Sequence, residues 1–250
     1  MEQVFSIKQA LLFGWDKAKQ HVWLFVKIML VVIAIVLVGS IVIVFFREGS
    51  LIASLIDSAL QIFMLFVDIA MTLITLRLAR GETITFTQAV DIFKGLFKKD
   101  LGLVVTFLLV LGIAQLLIGI AFLALIIPGV YLALRYSQVR YLVVDKRVLF
   151  DWSTHTWKTR WQEIKRVIHE GLRTSSDMTQ GVKWQLLWFG LACAGVALVG
   201  FIPGMITLGI GLVFVGTMLQ FASVYVYMKL LERVEKKSLP VSAPESAPTI

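Results

Sequence analysis

The sequence predicts an all-α membrane protein: six transmembrane helices as three hairpins, each preceded by an amphipathic interfacial helix, with both termini cytoplasmic. Three observations predict it. First, 58% of the 250 residues are hydrophobic and only 16% charged, with a mean hydropathy of +0.86. A soluble domain averages about 45–50% apolar and about 25% charged. Second, the excess is gathered into long runs, at about 22–46, 51–76, 101–126, 129–144, 184–201 and 204–228. Third, the basic residues are strongly sorted among the connecting segments.

A helix crosses ~30 Å of hydrocarbon with about 20 residues, in a range of ~17–25. Four runs meet this easily, the fifth marginally, and the fourth is short. REGS (47–50) separates the first two runs, IPG (127–129) the third and fourth, and IPG again (202–204) the last two. Proline lacks a backbone donor and glycine reaches positive φ, so each Pro-Gly is expected to be the turn of a hairpin.

Residues 1–21, 77–100, 145–183 and 229–250 are assigned to one side and the three turns to the other. Of 24 Lys and Arg, only Arg47 then belongs to a turn, while Lys27, Arg135 and Arg140 lie within spans. Basic loops are retained in the cytoplasm, which fixes the orientation. The same sorting explains the net charge of +8 without a nucleic-acid partner.

An internal repeat precedes each hairpin. Placing Ala10, Ala89 and Gly171 in register aligns Leu11, Val90 and Leu172, and Trp23 with Trp184. The repeats run about 5–80, 84–147 and 165–232 within one six-span domain, 1–237, with a Trp-rich insertion at about 148–164. In the first copy Val4, Ile7, Leu11, Trp15, Ala18 and Val22 share a stripe of roughly 80°. This reads as a helix in the headgroup layer, or as an extension of the first span packed on protein. Trp157, Trp161, Ile164, Ile168 and Leu172 form a second helical stripe. Trp15, Trp23, Trp157, Trp161 and Trp184 are expected to be interfacial anchors. The basic faces would favour anionic headgroups. The tail 238–250 is rich in Pro, Ser and Ala and reads as disordered.

No catalytic motif appears: neither GxSxG, HExxH, paired cysteines nor a phosphate-cradling glycine loop. His21, His155 and His169 have no ligand-spaced partners, and Cys193 is alone in an apolar run. Neither enzyme chemistry, cofactor nor metal is expected.

Polar residues inside spans are costly and mark candidate sites. In the second span Asp57, Gln61 and Asp68 fall on one stripe with Thr72 and Thr75, which should face the bundle. The fourth span carries Arg135 and Arg140. Asp57 and Arg135 both lie roughly 10–12 Å from the outer turns at ~1.5 Å per residue, which predicts an Asp57–Arg135 ion pair. Asp68 would take Arg140 or Arg77, and Arg140 sits near enough to the inner end to snorkel.

"IIPGVYLALRYSQVRYLVVDK" resembles the Pro-Gly, Arg-Tyr-Ser and terminal Val-Asp pattern of a broad family of uncharacterised bacterial integral membrane proteins. That family is related to the membrane domain of glycerophosphoryl diester phosphodiesterases. "EGLRTSSDMTQG" (170–181) and "FGWDKAKQHVW" are similar to further elements of it, with Gly171 for Ala and Gln180 for Lys. The resemblance implies a six-span helical domain in the bacterial inner (plasma) membrane and supplies no reaction, since no phosphodiesterase domain is present. Two functions compete: a structural or lipid-associated membrane module, and a small-solute transporter or channel using the polar stripe of the second span.

Overall fold

The computed structural model describes residues 4–46, 50–98, 101–145, 157–207 and 209–238, the side chains of 97, 98, 101, 157–160, 237 and 238 excepted. Every regular element among them is a helix: α1 (Ile7–Phe45), α2 (Leu51–Ala79), α3 (Phe86–Lys98), α4 (Leu101–Ala124), α5 (Ile126–Arg135), α6 (Val139–Val144), α7 (Trp157–Thr179), α8 (Lys183–Ile206) and α9 (Ile210–Ser238). Five of them, within α1, α2, α4, α8 and α9, are long and apolar enough to cross a membrane. This is the make-up of a multi-pass membrane protein.

The fourth expected span is not one helix. It is divided into α5, of 10 residues, and α6, of 6, by a turn at Tyr136–Gln138. At ~1.5 Å per residue neither piece reaches across ~30 Å alone. The Arg-Tyr-Ser-Gln stretch carries four polar side chains in a row, and their hydrogen bonds offer the backbone an alternative to a continuous helix.

The IPG segments flank the turns instead of forming them. The chain breaks at Leu125, in extended conformation, and Pro128 sits in the first turn of α5. A missing N–H has no intrahelical use there. Pro203 lies inside α8, which ends only at Ile206, and Gly209, just before α9, has φ +86°. Each IPG glycine marks a close approach. A Cβ on Gly129 would come within 2.4 Å of the Phe122 ring, and one on Gly204 within 2.6 Å of Leu212. The REGS turn lies mostly outside the described residues, as does the tail from 239.

The first amphipathic stretch does not lie apart from the first span. It is the N-terminal part of a single 39-residue helix, about 58 Å long at ~1.5 Å per residue. Its apolar stripe packs on α9: a Cβ on Gly14 would meet the Met218 carbonyl at 2.4 Å, and Ala10 and Ala18 are fully buried. Phe25 meets Phe221 edge to face and Trp15 meets Phe214. Burial against protein replaces burial in headgroups, so the packed-extension reading is the one realised.

In the other two copies the amphipathic helix is separate. Thr85 and Gln88 start α3 with a reciprocal capping box, each side chain bonding the other's backbone N–H. The buried line of α7 runs through Val167, Gly171, Ser175 and Met178, displaced from the tryptophan stripe. Small and polar residues on that line weakened the apolar signal in the sequence. The residues aligned by the repeat share their environment: Ala10, Ala89 and Gly171 are all buried.

Neighbouring helices pair along the chain: α1 with α2, α4 with α5, and α8 with α9. Gly39 of α1 lies against Leu60 of α2. The core gathers near one end, around Leu76, Leu142, Met178, Leu186, Ala222 and Tyr227. Toward the connecting turns the helices expose their apolar side chains: Phe45 is 84% exposed, Leu123 89% and Ile206 77%. A water-soluble monomer rarely tolerates apolar surface on this scale, whereas lipid accepts it.

Candidate functional site

The polar stripe of α2 has two different halves. Its lower half runs into the core at Thr72 and Thr75, which are fully buried, while the half-exposed Asp68 carboxylate accepts a charge-assisted hydrogen bond from Arg140 of α6. The same Arg140 nitrogen donates to the Thr72 hydroxyl at 2.8 Å, and that hydroxyl donates to the Asp68 carbonyl at 2.8 Å. Arginine, threonine and aspartate thus form a closed unit linking α2 to α6. Arg140 is paired here, and snorkelling to the inner end is unnecessary.

The upper half is exposed. Asp57 and Gln61 face outward, and the Asp57 carboxylate accepts from Gln61 at 2.8 Å, one turn along the same helix. Ser54 and Ser58 lie beside them, also exposed, with hydroxyls donating back to carbonyls one turn earlier. The expectation that the whole stripe faces the bundle therefore fails for this half, because the packed core does not extend to its level.

The expected Asp57–Arg135 pair is not made. Arg135 ends α5, and its Nε donates to the Ser176 hydroxyl of α7 at 2.8 Å. The Arg135 carbonyl, at the end of α5 where the helix breaks, accepts from Ser175 at 3.0 Å and Thr179 at 3.2 Å. A non-helical turn between two helices leaves backbone groups that a low-dielectric interior requires to be satisfied. The hydroxyl cluster of α7 does this, and so captures Arg135. Depth counted along the chain assumed two straight helices and had no means to include α7.

Two buried polar atoms beside the break have no hydrogen-bond partner, Gln138 Oε1 and Arg140 Nε. Gln138 is only 5% exposed, and its amide nitrogen donates to Ser137.

A third polar unit lies past the end of α2. Asp145, directly after α6, has a nearly buried carboxylate gripped by Arg80 through two nitrogens, at 2.7 and 2.8 Å. The Tyr227 hydroxyl of α9 donates to the same carboxylate at 2.9 Å. The hydrogen bond to Asp145 raises the Arg80 pKa above an arginine's ordinary range, against the opposing effect of burial. Sequence reasoning used Asp145 only as an end marker. Its one signal was an acid directly after an apolar run, facing a loop rich in basic residues. Nearby, Lys17 donates to the Leu78 carbonyl at 3.2 Å, a cation at a helix C-terminus.

The expected anchors are on the surface. Trp23 is 70% exposed, Trp184 60%, Trp161 52% and Trp15 41%. The side chain of Trp157 lies outside the described residues. Lys19 sits over the Trp15 ring at 4.8 Å. His21 lies beside Phe221 and His169 is exposed, while His155 falls outside the described residues. Among the described residues no group of three or more His, Cys, Asp or Glu could hold a metal ion. Cys193 is half-buried on α8 against the core.

Compared with protein-family models, curated proteins and solved structures, the chain gives no match.

Proposed function

We propose that this chain is a structural or lipid-associated module of the bacterial inner (plasma) membrane, with both termini cytoplasmic and no catalytic step of its own. In this reading α5 and α6 together make one broken crossing, so the chain crosses six times as three hairpins. Two arguments support that count. Val139, Val143 and Val144 of α6 share a core with Leu103 and Val104 at the start of α4, whereas Gly129 of α5 lies against Phe122 near its end. The pair thus runs back along the full length of α4. An even number of crossings also puts every strongly basic segment on one side.

The observation that carries the functional reading is the closed Asp68–Arg140–Thr72 unit. A carrier needs intramembrane charges free to bind and release a solute. Here the charges on the packed half of the stripe are spent on one another. The basic loops favour anionic headgroups, and the exposed apolar helices are suited to acyl chains. The two stretches that carry the family resemblance also meet, since Arg135 of Arg-Tyr-Ser bonds Ser176 of EGLRTSSDMTQG.

A second reading keeps one observation of its own. Discontinuous helices with unpaired polar atoms at the break are a feature of transporter binding sites, and Gln138 and Arg140 supply them. Reconstitution separates the two. The module reading expects Asp68→Asn to lower the midpoint of thermal unfolding in liposomes, with ion and small-solute permeability equal to that of wild type. A solute flux that wild type supports and Asp68→Asn abolishes, with the fold intact, favours the transporter.

A further inference from the structure

Among the described residues, nothing covers the exposed half of the α2 stripe. Leu51, Ser54, Ser58 and Gln61 recur at the spacing of a helix–helix seam, within an arc of roughly 80° at ~100° per residue. All four are exposed, and Asp57 flanks them, also exposed. α1 lies on another side of α2, where Leu60 meets Gly39 and Ala53 is buried. The segment belongs to a helix apolar enough to span the membrane. A carboxylate and a carboxamide facing lipid there are costly, so a polar partner is required.

We propose that this face is the contact with a second copy of the same chain, related by a two-fold axis along the membrane normal. The chemistry of the face is self-complementary. Gln61 donates one amide hydrogen to Asp57 of its own helix at 2.8 Å, leaving its second amide hydrogen and its carbonyl oxygen available. Asp57 keeps further acceptor capacity. Across a two-fold axis each Gln61 reaches the other copy's Asp57, one turn away. The two donors and two acceptors are then matched.

Ser54 and Ser58, spaced four apart, let the two backbones approach closely, as small residues do in membrane helix pairs. Their own hydroxyl hydrogens are already satisfied by carbonyls one turn back, so they bring no unmet donor into the seam. Leu51, 75% exposed, continues the seam with an apolar contact. A partner of different chemistry would not need one helix to carry both halves of the match. This proposal is independent of whether the packed half of the stripe is structural or transporting.

Cross-linking tests it. Cys193 is the only cysteine, so Cys193→Ser gives a thiol-free chain. In that background single cysteines are placed at Ser54 and Ser58 in the seam, and at Ile52 and Ala59 on the opposite exposed side. A short thiol-to-thiol cross-linker is then applied to native membranes. The dimer band is expected from Ser54→Cys and Ser58→Cys and not from Ile52→Cys or Ala59→Cys. Adding Gln61→Leu is expected to reduce the Ser58→Cys dimer by about fivefold, the effect of losing interhelical hydrogen bonds. Ser54→Cys reads the same seam if Ser58→Cys accumulates poorly. Equal cross-linking at all four positions, or none from normally accumulating seam variants, overturns the proposal. So does a link within one chain between Ser58→Cys and a cysteine at the exposed Gln115 of α4, which would make α4 the cover.

Discussion

Arg80 grips Asp145 with two of its nitrogens, at 2.7 and 2.8 Å, and so ties the end of α2 to the end of α6. Tyr227 adds α9 to the same carboxylate. With only 7% of the Asp145 side chain exposed, the carboxylate has exchanged water for these partners. Asp145→Ala removes the carboxylate that Arg80 and Tyr227 both bond and should cost about 3 kcal/mol, near the lower end for breaking a buried ion pair. Tyr227→Phe removes one hydrogen bond to a charged group and should cost about 1.5 kcal/mol. Unfolding of the purified protein in detergent, followed by tryptophan fluorescence, measures both. Because the Arg80 pKa is raised, its contribution is lost only above an arginine's ordinary range. These differences should therefore not vary between about pH 6 and pH 9 on Arg80's account.

The break between α5 and α6 depends on α7. Ser175 and Thr179 both donate to the Arg135 carbonyl, and Ser176 accepts from its guanidinium. Ser175→Ala alone should cost about 1 kcal/mol, because Thr179 still satisfies the carbonyl. Ser175→Ala with Thr179→Val should cost more than the sum of the two, since the carbonyl then loses both donors. Limited proteolysis at Tyr136–Gln138 provides the readout. The double variant should be cleaved there, and each single variant should resist. Simple additivity of the two changes would contradict this account of the break.

Close approach of α1 and α9 rests on Gly14. A Cβ there would lie 2.4 Å from the Met218 carbonyl, which is backbone and cannot swing aside. Gly14→Ala should destabilise by about 2 kcal/mol, in the range for overpacking a tight site. Gly119→Ala, with nothing within 4 Å of the added carbon, should be neutral or stabilising by up to about 1 kcal/mol. Thermal midpoints of the two variants should therefore move in opposite directions, or only the first should move.

How far these features could be read from sequence depended on what each left in the pattern. Apolar runs locate α1, α2, α4, α8 and α9, because length and composition alone mark a membrane helix. Asp68 is legible as a charge within a span, and Arg140 as one of its candidate partners, though the Asp68 side chain stays 45% exposed. Arg135 was misassigned because its partner is a serine on an amphipathic helix 41 residues later, and hydroxyls carry no charge to match. The break at Tyr136 was hidden by apolar residues on both sides. The turns were placed on IPG itself, since composition cannot separate a proline in a helix's first turn from one in a loop. Asp57 was expected inside because a polar stripe implies a polar cover. The cover proposed above lies on a second chain, which no periodicity in one sequence can locate.

Six crossings make a prediction about sides. With single cysteines in the Cys193→Ser background, Glu82→Cys and Gln180→Cys should be labelled by a membrane-impermeant maleimide only in inside-out vesicles. Ser50→Cys and Thr207→Cys should be labelled from the periplasmic face of spheroplasts. If α5 and α6 do not together cross, Gln180→Cys changes sides relative to Glu82→Cys, and the proposed topology is wrong.

The central claim is that the charges within the packed half of the helices are spent on each other. Charge exchange at Asp68 and Arg140 tests it most directly. Asp68→Arg and Arg140→Asp, made singly, should each reduce accumulation of folded protein in the membrane, because each leaves two like charges side by side. Combined, they should restore most of the wild-type level, measured by fluorescence-detected gel filtration of solubilised membranes. Accumulation of the exchanged protein no better than that of the worse single variant would contradict the claim.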